Sequence, residues 1–181
     1  LEDLYLPYRP KKRTRAMIAR ERGLEPLADM ILNDMVTSGN PLDIAREYIS
    51  EDVPTPEDAI QGASDIVAEI VSDSADFRAT LRKRMWKEGF IQAELVEDNE
   101  HKDQFLQYNE YAEPVRQMPS HRILAVNRGE KLGALKLALT VPDESYIQYM
   151  VRGITKNEQS IFSNVKASAV ADAYKRLMFP A

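Results

Sequence analysis

Between Thr55 and Ser72 the stretch TPEDAIQGASDIVAEIVS sets Ala59, Ile60, Ala63, Ile66, Val67, Ile70 and Val71 at the three- and four-residue steps of one helical face. That face is wide and about four turns long. Each Ile or Val on it is stabilised by roughly 1.5–3 kcal/mol on leaving water, so other elements must cover it. The fold class expected is therefore mostly α and multihelical.

The flanking sequence supplies the covering helices. Thr14 suits the cap of a helix over 15–22, Gly23 its left-handed end, and Pro26 the first turn of a second helix. Leu24, Leu27, Ala28, Ile31, Leu32 and Met35 give that second helix a buried stripe, and the two form a helix-turn-helix-like hairpin near the N-terminus. Asn40-Pro41 repeats the cap-then-proline start for a helix over 41–50 with Leu42, Ala45 and Ile49 inward, and EDVPTP reads as a linker whose Thr55 caps the helix that follows. This divides the chain into a strap and hairpin lobe at 1–53 and a multihelical core lobe at 54–181. ADFRATLRKRMWKEG predicts a helix with Phe77, Leu81 and Met85 inward, Gly89 as its stop, and Arg78, Arg82, Lys83, Arg84 and Lys87 on its outer face. FIQAELV (90–96) and LKLALTV (135–141) are the two predicted strands, forming at most a small two-stranded antiparallel ribbon. HKDQFLQYNEYAEP is expected to be helical up to Pro114. PSHRILAVNRGEKLG is expected to be a helix capped by Ser120 and ending near Gly129. The tail over 157–178, with Ile161, Phe162, Val165, Ala169, Ala173 and Leu177, predicts a long amphipathic helix.

At 181 residues and 44% hydrophobic the chain can bury a real core, as one domain or two short interlocked lobes. It has no cysteine, which excludes disulfides and Cys-based zinc sites and suits a reducing cytoplasm. No apolar run approaches the ~20 residues of a membrane span, so a cytoplasmic protein with no membrane partner is expected. The sequence begins LEDLYL without an initiator methionine, which suggests a fragment of a longer chain. No P-loop, G-x-G-x-x-G or G-x-S-x-G motif is present. VEDNEHKD (96–103) lacks the pattern of a calcium loop or zinc site and reads as a solvated loop or a helix start. No catalytic residue, metal or cofactor is expected, and a binding or scaffolding role is more economical than catalysis.

Against that background one run stands out. RPKKRTRAMIARER, residues 9–22, carries seven cations and the single acid Glu21, leaving −11 on the rest of a chain whose net charge is −5. Arg9, Lys11, Lys12, Arg13 and Arg15 follow Pro7 and Pro10 on extended backbone, where an arm can track phosphates without reading sequence. The plainer reading is a solvated helix entrance. Tyr5 and Tyr8 suit either base stacking or, with Leu4 and Leu6, pinning of the strap to a core. The second hairpin helix bears Glu25, Asp29, Asn33 and Asp34 and no cation, so its polar face would be repelled from a major groove. Ser120, His121 and Arg122 at a helix start, with Arg128 and Lys131 at its end, read either as an anion contact or as a capped helix with an internally bonded His121. The candidate nucleic-acid-binding residues are Arg9, Lys11, Lys12, Arg13, Arg15, Arg22, Arg122 and Arg128.

LEDLYLPYRPKKRTRAMIARERGLEPLA, followed in order by GASDIVAEIVSD, FRATLRKRMWKEG, YNEYAEP, PSHRILAVNRGEKLG and LKLALTV, closely resembles the Tex family of bacterial transcription accessory proteins. The resemblance implies a mostly helical N-terminal core of a multidomain protein. It implies that full-length members continue into an RNase H-like domain, helix–hairpin–helix elements and an OB-fold RNA-binding module. From it follows the expected function: a non-enzymatic scaffold with auxiliary, sequence-nonspecific contact to RNA or DNA through the basic arm. The alternative is a protein-interaction module that docks, through the tail helix or the surface near Tyr108 and Tyr111, to the other domains or to the transcription machinery.

Overall fold

The computed structural model describes residues 13–180. The expected strap, with Arg9, Lys11 and Lys12, lies outside them. The described chain runs through helices α1 (Arg15–Glu21), α2 (Glu25–Asn33) and α3 (Pro41–Ala45), a 3-10 turn at Arg46–Tyr48, then α4 (Pro56–Ser72) and α5 (Ala75–Glu88). Strand β1 (Phe90–Leu95), a 3-10 segment at Lys102–Tyr108, β2 (Tyr111–Pro114) and a 3-10 turn at Val115–Gln117 follow. Helix α6 (Ser120–Lys131), strand β3 (Leu135–Thr140), helices α7 (Asp143–Ile154) and α8 (Ser163–Asp172) and a π-helical turn at Ala173–Met178 complete it. The protein is mostly α, with one small sheet.

Two compact units emerge, one comprising the residues up to Ser74 and from Ile147 onward, the other Ala75–Tyr146. The proline-marked linker at 54–56 falls inside the first unit, because the hairpin before it packs on the helix after it.

In the first unit α4 is the hub, packed against α1, α2, α3, α8 and the π turn. Ala59, Ala63, Ile66, Val67 and Val71 are buried as the periodicity predicts, whereas Ile70 stays 41% exposed. The local signals act as read. Thr14 Oγ1 accepts from Met17 N, Asn40 Oδ1 from Leu42 N and Thr55 Oγ1 from Asp58 N, each satisfying an orphan amide at a helix start. Gly23 adopts φ +78° between α1 and α2. Two assignments in the second helix are corrected. Asp34, expected on the solvent face, is buried as the left-handed C-cap of α2 at φ 57°, and Met35, expected in the core, is 78% exposed. The helix ends before either residue, so its period no longer governs where they point. The tail differs too. Helix α7 occupies a stretch left unassigned by the sequence pattern, and the expected helix over 157–178 is α8 plus a π turn that starts only at Ser163.

In the second unit the expected two-stranded ribbon is a three-stranded antiparallel sheet in the order β2-β1-β3. Phe90 pairs with Thr140 on one side and Pro114 on the other. The third strand comes from HKDQFLQYNEYAEP, expected to be helical. Its first part winds into a 3-10 segment interrupted at Phe105, Glu110 reverses the chain at φ 52°, and Tyr111–Pro114 then lies along β1. Burial decides against a continuous helix. Phe105 and Tyr108 join Ala93, Val126, Ala134 and Leu135 in a core that covers one face of the sheet, with Tyr111 meeting Tyr108 edge to face at 5.4 Å. The other face, with Phe90, Gln92, Glu94, Lys136, Ala138 and Thr140, is exposed.

Helix α6 also runs past its expected end. Pro119, not Ser120, is its N-cap, and Gly129 lies inside it, buried against Leu135. A Cβ at Gly129 would stand 2.4 Å from Leu135 Cδ1, so the glycine serves close packing and the left-handed stop falls to Gly133 at φ 73°.

Candidate nucleic-acid interface

The basic run enters the described structure at Arg13 and continues as α1. Capping by Thr14 starts the helix, and the burial of Ala16 and Ala19 seats it on α4. Glu69 of α4 anchors it, accepting from Arg20 Nη1 at 2.7 Å through one oxygen and from Thr14 Oγ1 at 3.0 Å through the other. The hydrogen bond to Glu69 holds the Arg20 guanidinium above its ordinary pKa. Arg20 is thus spent on the fold.

The remaining cations differ in how free they are. Arg13 pairs with Glu21 at the surface. Arg15 and Arg22 are exposed and line a groove of about 400 Å³ together with Asp52, Asp58, Gln61 and Asp65. Asp65 is buried there. Burial pushes its carboxyl above the ordinary range, against a hydrogen bond from Gln61 Nε2 at 3.1 Å and the charges of Arg15 and Arg176. The groove is of mixed sign, so its lining as a whole does not select phosphate.

Arg122 and Arg128 belong to the second unit. Arg122 Nη1 donates to Glu113 Oε1 at 2.9 Å and reaches Tyr111 Oη at 3.4 Å, while Tyr111 Oη bonds the other Glu113 oxygen. These bonds hold the Glu113 carboxyl below its ordinary range, the Tyr111 bond first. An arginine so neutralised is poorly placed to meet an anion. His121 beside it is exposed, and the internal hydrogen bond expected of it is not formed among the described residues. Arg128 is exposed in the last turn of α6. Arg13 and Arg22 thus flank helix α1, on which Arg15 lies, while Arg122 and Arg128 belong to the second unit.

Sequence reasoning missed Glu69, whose signal is no more than an acid on the polar side of α4. The acidic loop over 96–103 is built as a surface turn in which Lys102 pairs with Glu97 at 3.2 Å and His101 with Glu100 at 3.2 Å. Among the described residues no group of His, Asp and Glu is arranged to hold a metal ion, and no helix is long and apolar enough to cross a membrane.

Comparison with known proteins places this architecture. Residues 37–178 match the Tex central region-like family. The transcriptional accessory protein Tex of Neisseria gonorrhoeae is 41% identical over 98% of this chain and 22% of its own length. Protein YhgF of Escherichia coli is 38% identical over 83% of the chain and 21% of its own length. The human S1 RNA-binding domain-containing protein 1 is 27% identical over 99% of the chain and 19% of its own length. The chain thus spans about a quarter or less of the length of these curated relatives, and the matched family describes a central region where the sequence suggested an N-terminal one. On this match the chain belongs to the Tex family.

Proposed function

We propose that this chain is a non-enzymatic scaffold region of a transcription accessory protein and adds a sequence-nonspecific phosphate contact through its basic arm. The observation that carries the reading is the anchoring of α1. Glu69 takes up Thr14 and Arg20, while Arg13, Arg15 and Arg22, which follow Arg9, Lys11 and Lys12 in sequence, stay at the surface. Concentrating positive charge there, in a chain of net −5, offers the one kind of contact a phosphate backbone selects. The names of the relatives, a transcriptional accessory protein and an S1 RNA-binding domain-containing protein, support a role near nucleic acid. Its partners on this reading are RNA or DNA, other domains of the full-length protein and the transcription machinery, in the cytoplasm.

A salt-titrated anisotropy assay with labelled single- and double-stranded oligonucleotides tests it. Affinity should fall steeply with salt, by about 0.9 in log–log slope per duplex phosphate contacted. Replacing Arg9, Lys11, Lys12, Arg13 and Arg15 together by alanine should remove most of that slope. Unchanged binding would rule the arm out.

The second reading, a docking surface for other parts of the protein, is favoured by Leu106 (58% exposed) and Leu124 (70% exposed) in the second unit. Tyr108, where that surface was expected, is buried, and Tyr111 is half-buried. On this reading Leu124→Asp abolishes association with the rest of the protein supplied in trans and leaves oligonucleotide binding intact.

A further inference from the structure

Trp86 is the single tryptophan of the chain, and it is 62% exposed. A side chain of that size is rarely left so bare. It sits near the end of α5, where Arg82 precedes it by four residues and Lys83 by three, so both share its helical face, and Lys87 follows directly. All three cations are exposed and form no ion pair among the described residues. The acid at this end of the helix, Glu88, is taken up on the other side, with Tyr146 Oη donating to it at 2.9 Å and Arg84 lying 3.7 Å away. Arg84 itself is turned inward, over the Tyr146 ring at 4.7 Å. The outer end of α5 therefore presents an exposed indole with two unpaired cations on its own helical face and a third next to it in sequence.

We infer that this surface binds single-stranded nucleic acid, with a base stacked on the Trp86 indole and the flanking phosphates held by Arg82, Lys83 and Lys87. Charge selects a polyanion, and the indole selects among polyanions. A duplex keeps its base faces inside the stack, and an acidic peptide has none to offer, whereas a single strand can lay a base on the ring while its backbone runs past the cations. Any base has such a face, so sequence preference is weak. Phe90, 43% exposed at the start of β1, is a second aromatic surface in the same unit. The site stands independently of the arm, since it lies in the other unit and works by stacking as well as charge.

Because Trp86 is alone, its fluorescence reports its own site. Titrating the 181-residue chain with oligothymidylate should quench that emission saturably. The matching duplex and poly-L-glutamate should quench it weakly. Trp86→Ala, read by anisotropy of a labelled strand, should weaken binding roughly tenfold or more, and Trp86→Phe should keep most of it. Joint replacement of Arg82, Lys83 and Lys87 by alanine should lower the salt slope by about 2, at roughly 0.7 per single-strand phosphate. The arm variant should leave the quenching unchanged, which separates failure of the arm from failure of this site. Absent quenching, or equal quenching by poly-L-glutamate or duplex, would overturn the inference, as would a Trp86→Ala chain that folds by circular dichroism and binds oligothymidylate as before.

Discussion

Lys166 Nζ lies 2.6 Å from Asp34 Oδ2, and both side chains are 1% exposed. The same ammonium donates to the carbonyls of Leu32 and Ile154 at 3.3 Å, and the same carboxylate oxygen accepts from the amides of Lys156 at 2.7 Å and Asn157 at 3.2 Å. One ion pair thus ties the end of α2, the segment after α7 and helix α8 into the first unit. Lys166 spends all its donors; Asp34 keeps one oxygen, Oδ1, without a partner among the described residues.

Removing one member strands the other in a dry site. Lys166→Met should cost about 3–5 kcal/mol of unfolding free energy in urea. Asp34→Asn is the cleaner partner, because Asn tolerates the left-handed backbone that Ala would not. The double variant should be less destabilised than the sum of the two singles, and strict additivity would show that the pair is not coupled.

Two buried carboxyls give opposite pH signatures. Burial raises the Asp34 pKa, but the Lys166 bond and the Lys156 and Asn157 amides outweigh it and leave the group below its ordinary value. Its stabilising contribution is therefore full above the unfolded pKa of about 3.9 and is lost as pH falls through the folded one. Asp65 is held above its ordinary value by burial, so ionising it opposes folding, increasingly as pH rises through its folded pKa. Asp65→Asn should raise the thermal midpoint at neutral pH, with the gain vanishing below pH ~4. A gain that persists in acid would mean that burial of the charge is not its source.

Gly129→Ala tests packing against propensity. Inside a helix the change should stabilise by up to about 1 kcal/mol. Here the new methyl would meet Leu135 Cδ1 at 2.4 Å and Cγ at 2.7 Å, and Leu135 is itself buried. The expected result is a net loss of about 1–3 kcal/mol. In a Leu135→Ala background the penalty should shrink or reverse.

Glu69→Ala should release Thr14 and Arg20 together. Loss of about 1–2 kcal/mol is expected for two partly exposed bonds, one of them charged. Amide exchange in α1 should accelerate while that of α2 stays slow. Equal acceleration in both helices would mean that the hairpin opens as one piece and that Glu69 does not anchor α1 specifically.

The sequence alone determined the mostly helical class, the caps at Thr14, Asn40 and Thr55, the turn at Gly23 and the buried face of α4. Each of these depends on residues within one or two turns of each other, where period and capping chemistry act directly. The Tex-like segments were legible in the same way, as was the concentration of charge over residues 9–22. Tertiary structure decided what no local pattern encodes. It drew Tyr111–Pro114 out of an apparent helix because β1 offered a free edge, and it made Gly129 a contact where it had looked like a stop. It neutralised Arg122 through Glu113, spent Arg20 on Glu69 and left Trp86 in solvent among free cations. Asp34 shows the reason most plainly. It looked like a surface acid on a polar face, and only a lysine 132 positions away, brought beside it by the fold, makes its burial tolerable.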